Sequence, residues 1–284
     1  DQFVWNNFPE FLKAYDGGAS CLKTGLDYRD ITYEYLSACA REGAIYVELF
    51  ASPDHAAAVG IGYTQMLEGC IQAIDDAQHD HGICGRIIIT CVRHLGPQQA
   101  LNVAKQVVAE PHPYVVGFGM GGDESLHTPG DFLPAYRLAA DAGLGCTAHA
   151  GEVCGPESVW AAINGLPVTR IGHGVRSIED PALIETLCQR NIALEICPGS
   201  NIALGVYPDY NQHPLLKLLD AGIQISLNSD DPPFFWTSLG QEYQRGREEF
   251  GLSGTQLQEI SRMALNAAFV DDATRNLLLQ KLTP

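Results

Sequence analysis

The sequence predicts an α/β fold: a single (β/α)8 barrel domain of the TIM type over residues 1–284, seven of its strands visible and the first placed upstream of Asp1. Three observations lead there. Short apolar runs without polar alternation recur along the chain, as expected of parallel strands buried on both faces. Helical patterns separate them. Strings of His, Asp and Glu fall where several of the runs stop. The 284 residues are 46% hydrophobic, which suits one α/β barrel or two ordinary domains. No Ser/Pro/Gly linker, low-complexity tract or charge block divides them.

The elements follow in order. A helix begins around 8–15. The apolar runs are 44–51, 85–92, 115–119, 145–148, 169–171, 192–196 and 224–227. Helices are predicted over 97–109, opened by Pro97 in its first turn, and over 132–142, stopped by Gly143. Two more cover 181–190, behind Asp180 as N-cap, and 213–221, stopped by Gly222. The last two are 255–269 and 272–282. Strand and helix in alternation mean parallel strands and right-handed crossovers. An open doubly wound sheet is the competing architecture, but no Gly-x-Gly-x-x-Gly opens a helix. A barrel gathers its active site at the C-terminal ends of its strands, which is where the polar strings lie.

Composition narrows the partners. The net charge of −17, from 17 basic and 34 acidic residues, repels phosphate backbones, so nucleic acid is not expected. No apolar run approaches a membrane span and no signal-peptide pattern opens the chain. Nine scattered cysteines without C-x-x-C spacing read as reduced thiols in a cytoplasmic protein. Cys154, close to His149, is read as packing.

The strings themselves suggest a metal hydrolase. Gly121-Gly122-Asp123-Glu124 ends the third run, where glycines let backbone approach a ligand or simply make a turn. His149 ends the fourth run as a candidate metal ligand, with Glu152 curling back from the loop as a candidate acid/base. His173 ends the fifth between Gly172 and Gly174, whose missing side chains would clear its path inward. Cys197-Pro198-Gly199-Ser200-Asn201 ends the sixth, as pocket lining or as a tight turn. Asp230-Asp231 ends the seventh, ahead of Pro232-Pro233. One of these carboxylates can hold a metal and the next can meet substrate. The other seven histidines, His213 among them, are read as structural or solvent-facing.

His149-Ala150-Gly151-Glu152, Gly172-His173-Gly174 and Ser229-Asp230-Asp231-Pro232, behind Gly122-Asp123-Glu124, resemble the signature set of the adenosine/adenine deaminases in the metal-dependent amidohydrolase superfamily. The match runs from about Ala44 to Pro233 in order and spacing. The resemblance implies one zinc ion per chain, held by His149 and Asp230. It implies Glu152 as the acid that protonates purine N1, and His173 beside the nucleophilic water as base or electrostatic stabiliser. It gives Asp231 to purine N7 and the Gly122 N–H to N3. The implied reaction is zinc-dependent hydrolytic deamination of a 6-aminopurine, adenosine to inosine and ammonia, with free adenine as the alternative substrate. A non-catalytic purine-binding barrel is the alternative of another class, and a homodimer stays open. The Cys-ligated zinc deaminases are excluded, since neither half of their H-x-E…P-C-x-x-C signature occurs.

One departure concerns the front. The family carries His-x-His at the end of its first strand, and this sequence has none. The chain opens at Asp1 without an initiator Met. A further roughly 30–60 residues upstream, with a strand ending in His-x-His, is therefore expected, because a closed barrel needs eight strands and a catalytic zinc about three protein ligands.

Overall fold

The computed structural model describes Trp5 and residues 7–282. The expected α/β pattern is present, with seven parallel strands among these residues and helices between them. The alternation is that of a TIM-type barrel. The helix expected over 8–15 is α1 (Phe8–Ala19), with Asn7 as its N-cap. Packing divides the chain into two compact units, residues 1–123 with 134–144, and residues 124–133 with 145–284.

The first unit holds α2 (Gly25–Arg41), β1 (Tyr46–Ala51), α3 (Pro53–Ala58), α4 (Tyr63–His81), β2 (Cys84–Val92), α5 (Pro97–Ala109) and β3 (Val115–Gly121). α6 (Leu133–Asp141) returns to it. β2 lies between β1 and β3, with Tyr46 opposite Cys84 and Val92 opposite Gly121. Its Ile87, Ile88, Ile89 and Cys91 are fully buried, so both faces of the strand are covered. That is why the run carries no polar alternation. α2 and α4 pack closely where a Cβ on Gly69 would fall 2.1 Å from the Gly25 carbonyl oxygen.

The second unit holds β4 (Gly145–Ala150), α7 (Pro156–Gly165), β5 (Arg170–His173), α8 (Pro181–Gln189), β6 (Ala193–Ile196), α9 (Pro198–Ala203), α10 (Leu215–Asp220) and β7 (Ile225–Leu227). α11 (Pro232–Phe235), α12 (Leu239–Glu248), α13 (Gly254–Ala267) and α14 (Asp272–Lys281) complete it. Asp180 caps α8 through the amides of Ala182 and Leu183, as its position predicts. β4 to β7 pair in order, each parallel to the next. A buried polar layer crosses three of them. Arg170 Nε on β5 lies 2.8 Å from Glu195 Oε1 on β6, and Thr147 Oγ1 on β4 donates to Glu195 Oε2 at 2.8 Å. The Arg170 guanidinium stacks 3.6 Å over the Phe269 ring and donates to the Ala267 carbonyl, tying the end of α13 to the strand.

No described helix is long and apolar enough to cross a membrane. All nine cysteines are free of disulfides. The segment expected upstream of Asp1 lies outside the described residues.

Candidate active site

Four of the predicted residues meet at the C-terminal ends of β4, β5 and β7. His149 is next to last in β4, with Gly172 opposite it in register and His173 opposite Ala150. The His149 ring lies across Gly172, where a Cβ would come within 2.8 Å of Nδ1 and 3.1 Å of Cγ. Gly172 is thus small for the neighbouring imidazole, not for His173 as the sequence suggested. Gly174 serves another end: it sits at φ +66, and a Cβ there would meet Leu194 Cδ2 at 2.6 Å. The two imidazoles stand edge to face, 5.0 Å between centroids.

His173 Nε2 faces two acids, 3.6 Å from Glu152 Oε1 and 3.7 Å from Asp230 Oδ2. Both distances exceed a direct hydrogen bond. Asp230 is carried past β7 by Asn228, whose side-chain amide donates to the Ile196 carbonyl at 3.3 Å and the Ser226 carbonyl at 3.1 Å.

Glu152 owes its place to Glu124, the last residue of the Gly121-Gly122-Asp123-Glu124 string. The carboxylate of Glu124 accepts the backbone N–H groups of Gly151, Glu152 (3.1 Å), Val153 (2.9 Å) and Cys154 (2.9 Å). It also takes the Ser158 hydroxyl at 2.6 Å. One buried carboxylate therefore satisfies four consecutive amides of the loop.

The electrostatics are those of crowded acids. Burial first, and then Asp230 and Glu124, push the Glu152 carboxyl well above the usual carboxylate range. Burial and then Asp230 do the same to Asp231. Burial and the His173 ring pull His149 down, so its imidazole stays neutral. Neutral imidazole is the metal-binding form.

These residues fit a divalent cation. Three carboxyls, Glu152, Asp230 and Asp231, crowd together, and among the described residues their ion pairs are to His173 and to no Lys or Arg. His149 and Asp230 add the nitrogen and oxygen donors zinc takes. One group of described residues brings three candidate ligand atoms within 4.8 Å of one another, and it is His173, Cys197 and Asp230. Burial and the surrounding acids hold the Cys197 thiol well above its ordinary range, which makes it a poorer ligand than neutral His149.

Gly122 belongs to the first unit, at φ +100 after β3, where a Cβ would sit 3.0 Å from His94 Nδ1. Two more residues enter the site: Asn201, from the string expected as pocket lining or as a tight turn, and His213, expected to be structural or solvent-facing. Cys197 to Asn201 are not a tight turn but the start of α9, and the Asn201 amide reaches His173 Nδ1 at 3.3 Å. His213 is buried against the same amide, at 3.0 Å from its oxygen. A His-Pro pair just before α10 was the one available signal.

Comparison with known proteins agrees with this geometry. The family model described as adenosine deaminase matches residues 3–284. An adenine deaminase of Agrobacterium fabrum is 47% identical over 281 residues, 99% of this chain and 86% of that protein. The crystal structure of adenine deaminase from Arthrobacter aurescens superposes with a TM-score of 0.93 at 28% identity, over 98% of this chain and 85% of that one. An amidohydrolase from Burkholderia ambifaria with bound Zn gives 0.88 at 27% identity, over 95% of this chain and 79% of that one. The chain belongs to the adenosine deaminase family, and it is an aminohydrolase.

Proposed function

We propose that the chain hydrolyses adenine to hypoxanthine and ammonia, with one zinc ion held in part by His149 and Asp230. The convergence of Glu152, His173 and Asp230 within 3.7 Å contacts carries the chemistry. The choice of free base over the adenosine expected from sequence is supported by the relatives named adenine deaminase, 42–47% identical over nearly the whole chain.

Zinc in such a site makes water a nucleophile near neutral pH, by lowering its pKa to about 7. The rest falls to the side chains. Glu152, whose carboxyl burial above all pushes up from the usual carboxylate range, gives a proton to purine N1. That withdraws electrons from C6, which water attacks. Asp231, also raised, presents a carboxyl proton to the N7 lone pair and holds the ring in plane. His173, 3.6–3.7 Å from both acids, faces the oxygen that bonds to C6. The water oxygen becomes the O6 of hypoxanthine; of its two protons one returns to the Glu152 carboxylate, replacing the proton kept on N1, and the other joins the former amino nitrogen, which leaves as ammonia.

The test is ammonia release by the zinc-loaded protein. Adenine is expected to exceed adenosine by about 10²-fold or more in kcat/KM, the scale on which a fitted pocket separates substrates. A preference for adenosine returns the sequence expectation. Binding of adenine without ammonia favours the non-catalytic alternative.

A further inference from the structure

We propose that Asn201 and His213 are positioning residues that hold His173 as its Nε2–H tautomer, so that His173 meets the reacting atoms as a hydrogen-bond donor and not as a base. A ring nitrogen or a side-chain amide can usually be read either way round. Here a backbone group removes the choice. The Leu215 N–H, which can only donate, points at His213 Nδ1 at 3.2 Å. Nδ1 of His213 must therefore be the acceptor. In the neutral ring the proton is then on Nε2, which lies 3.0 Å from Asn201 Oδ1. That contact turns the Asn201 oxygen toward His213 and its NH2 toward His173. The NH2 lies 3.3 Å from His173 Nδ1, which must accept in turn. The neutral His173 ring is left with its proton on Nε2, the atom facing Glu152 and Asp230.

The surroundings enforce each step. His213, Asn201 and His173 are all buried, at 5%, 0% and 2% exposure, so water does not replace a lost partner. The His213 ring is gripped edge-on by Tyr207 and Phe250, with centroids at 5.3 and 5.6 Å. Burial first and His173 second lower the His213 pKa to about 4, consistent with a neutral ring. Pro214 fixes the backbone between the ring and the anchoring amide, as the residue before α10.

The donor assignment resolves what the sequence left open. A neutral Nε2–H cannot take a proton from water. It can stabilise charge on an oxygen between it and the acids. The kinetic consequence rests on the deaminase reading above. The tautomer itself does not.

Both are testable. Imidazole 15N spectra of the protein, zinc-free and zinc-loaded, should show His173 with a pyridine-type Nδ1 and a pyrrole-type Nε2, assigned by loss of the signals in His173→Asn. Asn201→Asp keeps the shape but offers acceptors only, so Nδ1 should gain a proton. Its kcat should fall about 10²-fold, the usual scale for a misassigned acid/base group, with KM within about 3-fold. His213→Phe removes one neutral hydrogen bond and should lower kcat by about 10-fold, while His213→Gln, which restores a donor, should recover most of it. A protonated Nδ1 in the wild-type spectrum overturns the proposal whatever the activity. So does a wild-type kcat in His213→Phe, or an effect confined to KM. Absence of turnover on every purine, with the tautomer as stated, counts against the deaminase reading alone.

Discussion

Replacing Glu124 by Gln tests how the loop bearing Glu152 is held. The carboxylate accepts three amides at Oε2, those of Glu152, Val153 and Cys154, and one amide with one hydroxyl at Oε1. A glutamine has one accepting end. Its best orientation keeps the oxygen on the triple side and turns NH2 toward the Ser158 hydroxyl, which can rotate to accept. The Gly151 N–H is then orphaned in a buried site, at about 1–3 kcal/mol. The three remaining bonds lose their charge, at about 0.5–1 kcal/mol each. The sum is about 2.5–6 kcal/mol, large against the total stability of a domain. Equilibrium unfolding in urea should show that loss. Hydrogen exchange should show it locally, as faster exchange at the amides of residues 151–154. The rate should suffer too, since misplacing an acid by about 1 Å can cost roughly 10²-fold. Glu124→Asp, which keeps the charge, should sit between the two. Wild-type exchange at 151–154 and a stability change below about 1 kcal/mol would refute the cradle, because no arrangement of a glutamine satisfies all five donors.

Other outcomes follow from the same geometry. Glu152→Gln should keep zinc and purine binding, by calorimetry, while losing at least about 10²-fold in kcat; loss of the metal instead would make Glu152 a ligand. Gly172→Ala puts a Cβ 2.8 Å from the His149 ring and should weaken zinc affinity by about 10–100-fold at near-native circular dichroism. His213 binds its proton with a pKa of about 4 folded against 6.5 in the unfolded chain, so the unfolded state takes up protons first and stability is lost as pH falls from about 7.5 toward 4. At pH 5 the difference amounts to about 2 kcal/mol, and His213→Phe should show a pH–stability curve flatter by that amount; parallel curves would place the titration elsewhere.

Most strands were legible because, like β2, they are buried on both faces. Nothing competes with an apolar run such as 85–92, and β2 extends only one residue beyond it, to Cys84. Short helices were harder. α9 hides behind Cys197-Pro198-Gly199, residues that make a turn as readily as a first helical turn. α4, long and amphipathic, carries Gly69 and closing histidines that blur its pattern. The acids and histidines of the site could be picked out by type and by position after a strand. Their supports could not. Glu124 lies 27 residues from Gly151, and Asn201 lies 28 from His173. A hydrogen bond of that span leaves no periodic trace in one sequence.

The backbone at the site explains why those residue types stand there. Five described residues other than glycine have positive φ, and two of them are His173 (φ 58) and Asp230 (φ 55). Each closes a strand or its short extension, and each leaves the alternating geometry at that point. In a regular strand the next side chain would point to the opposite face. The left-handed turn instead re-aims it, and His173 Nε2 and Asp230 Oδ2 come within 3.7 Å of each other from β5 and β7, strands separated by β6. The conformation costs of order 1 kcal/mol for most residues, but His, Asn and Asp occupy it several-fold more often than others. Glycine would relieve the strain and lose the donor. The residues able to bind a metal or move a proton are thus also those that tolerate the turn, so one substitution there perturbs chemistry and backbone together. Asp230→Asn separates the two: it keeps the left-handed turn and the shape while removing the charge, and should lose zinc with little loss of stability. A comparable loss of stability in Asp230→Asn would mean that the carboxylate holds the fold as well as the metal.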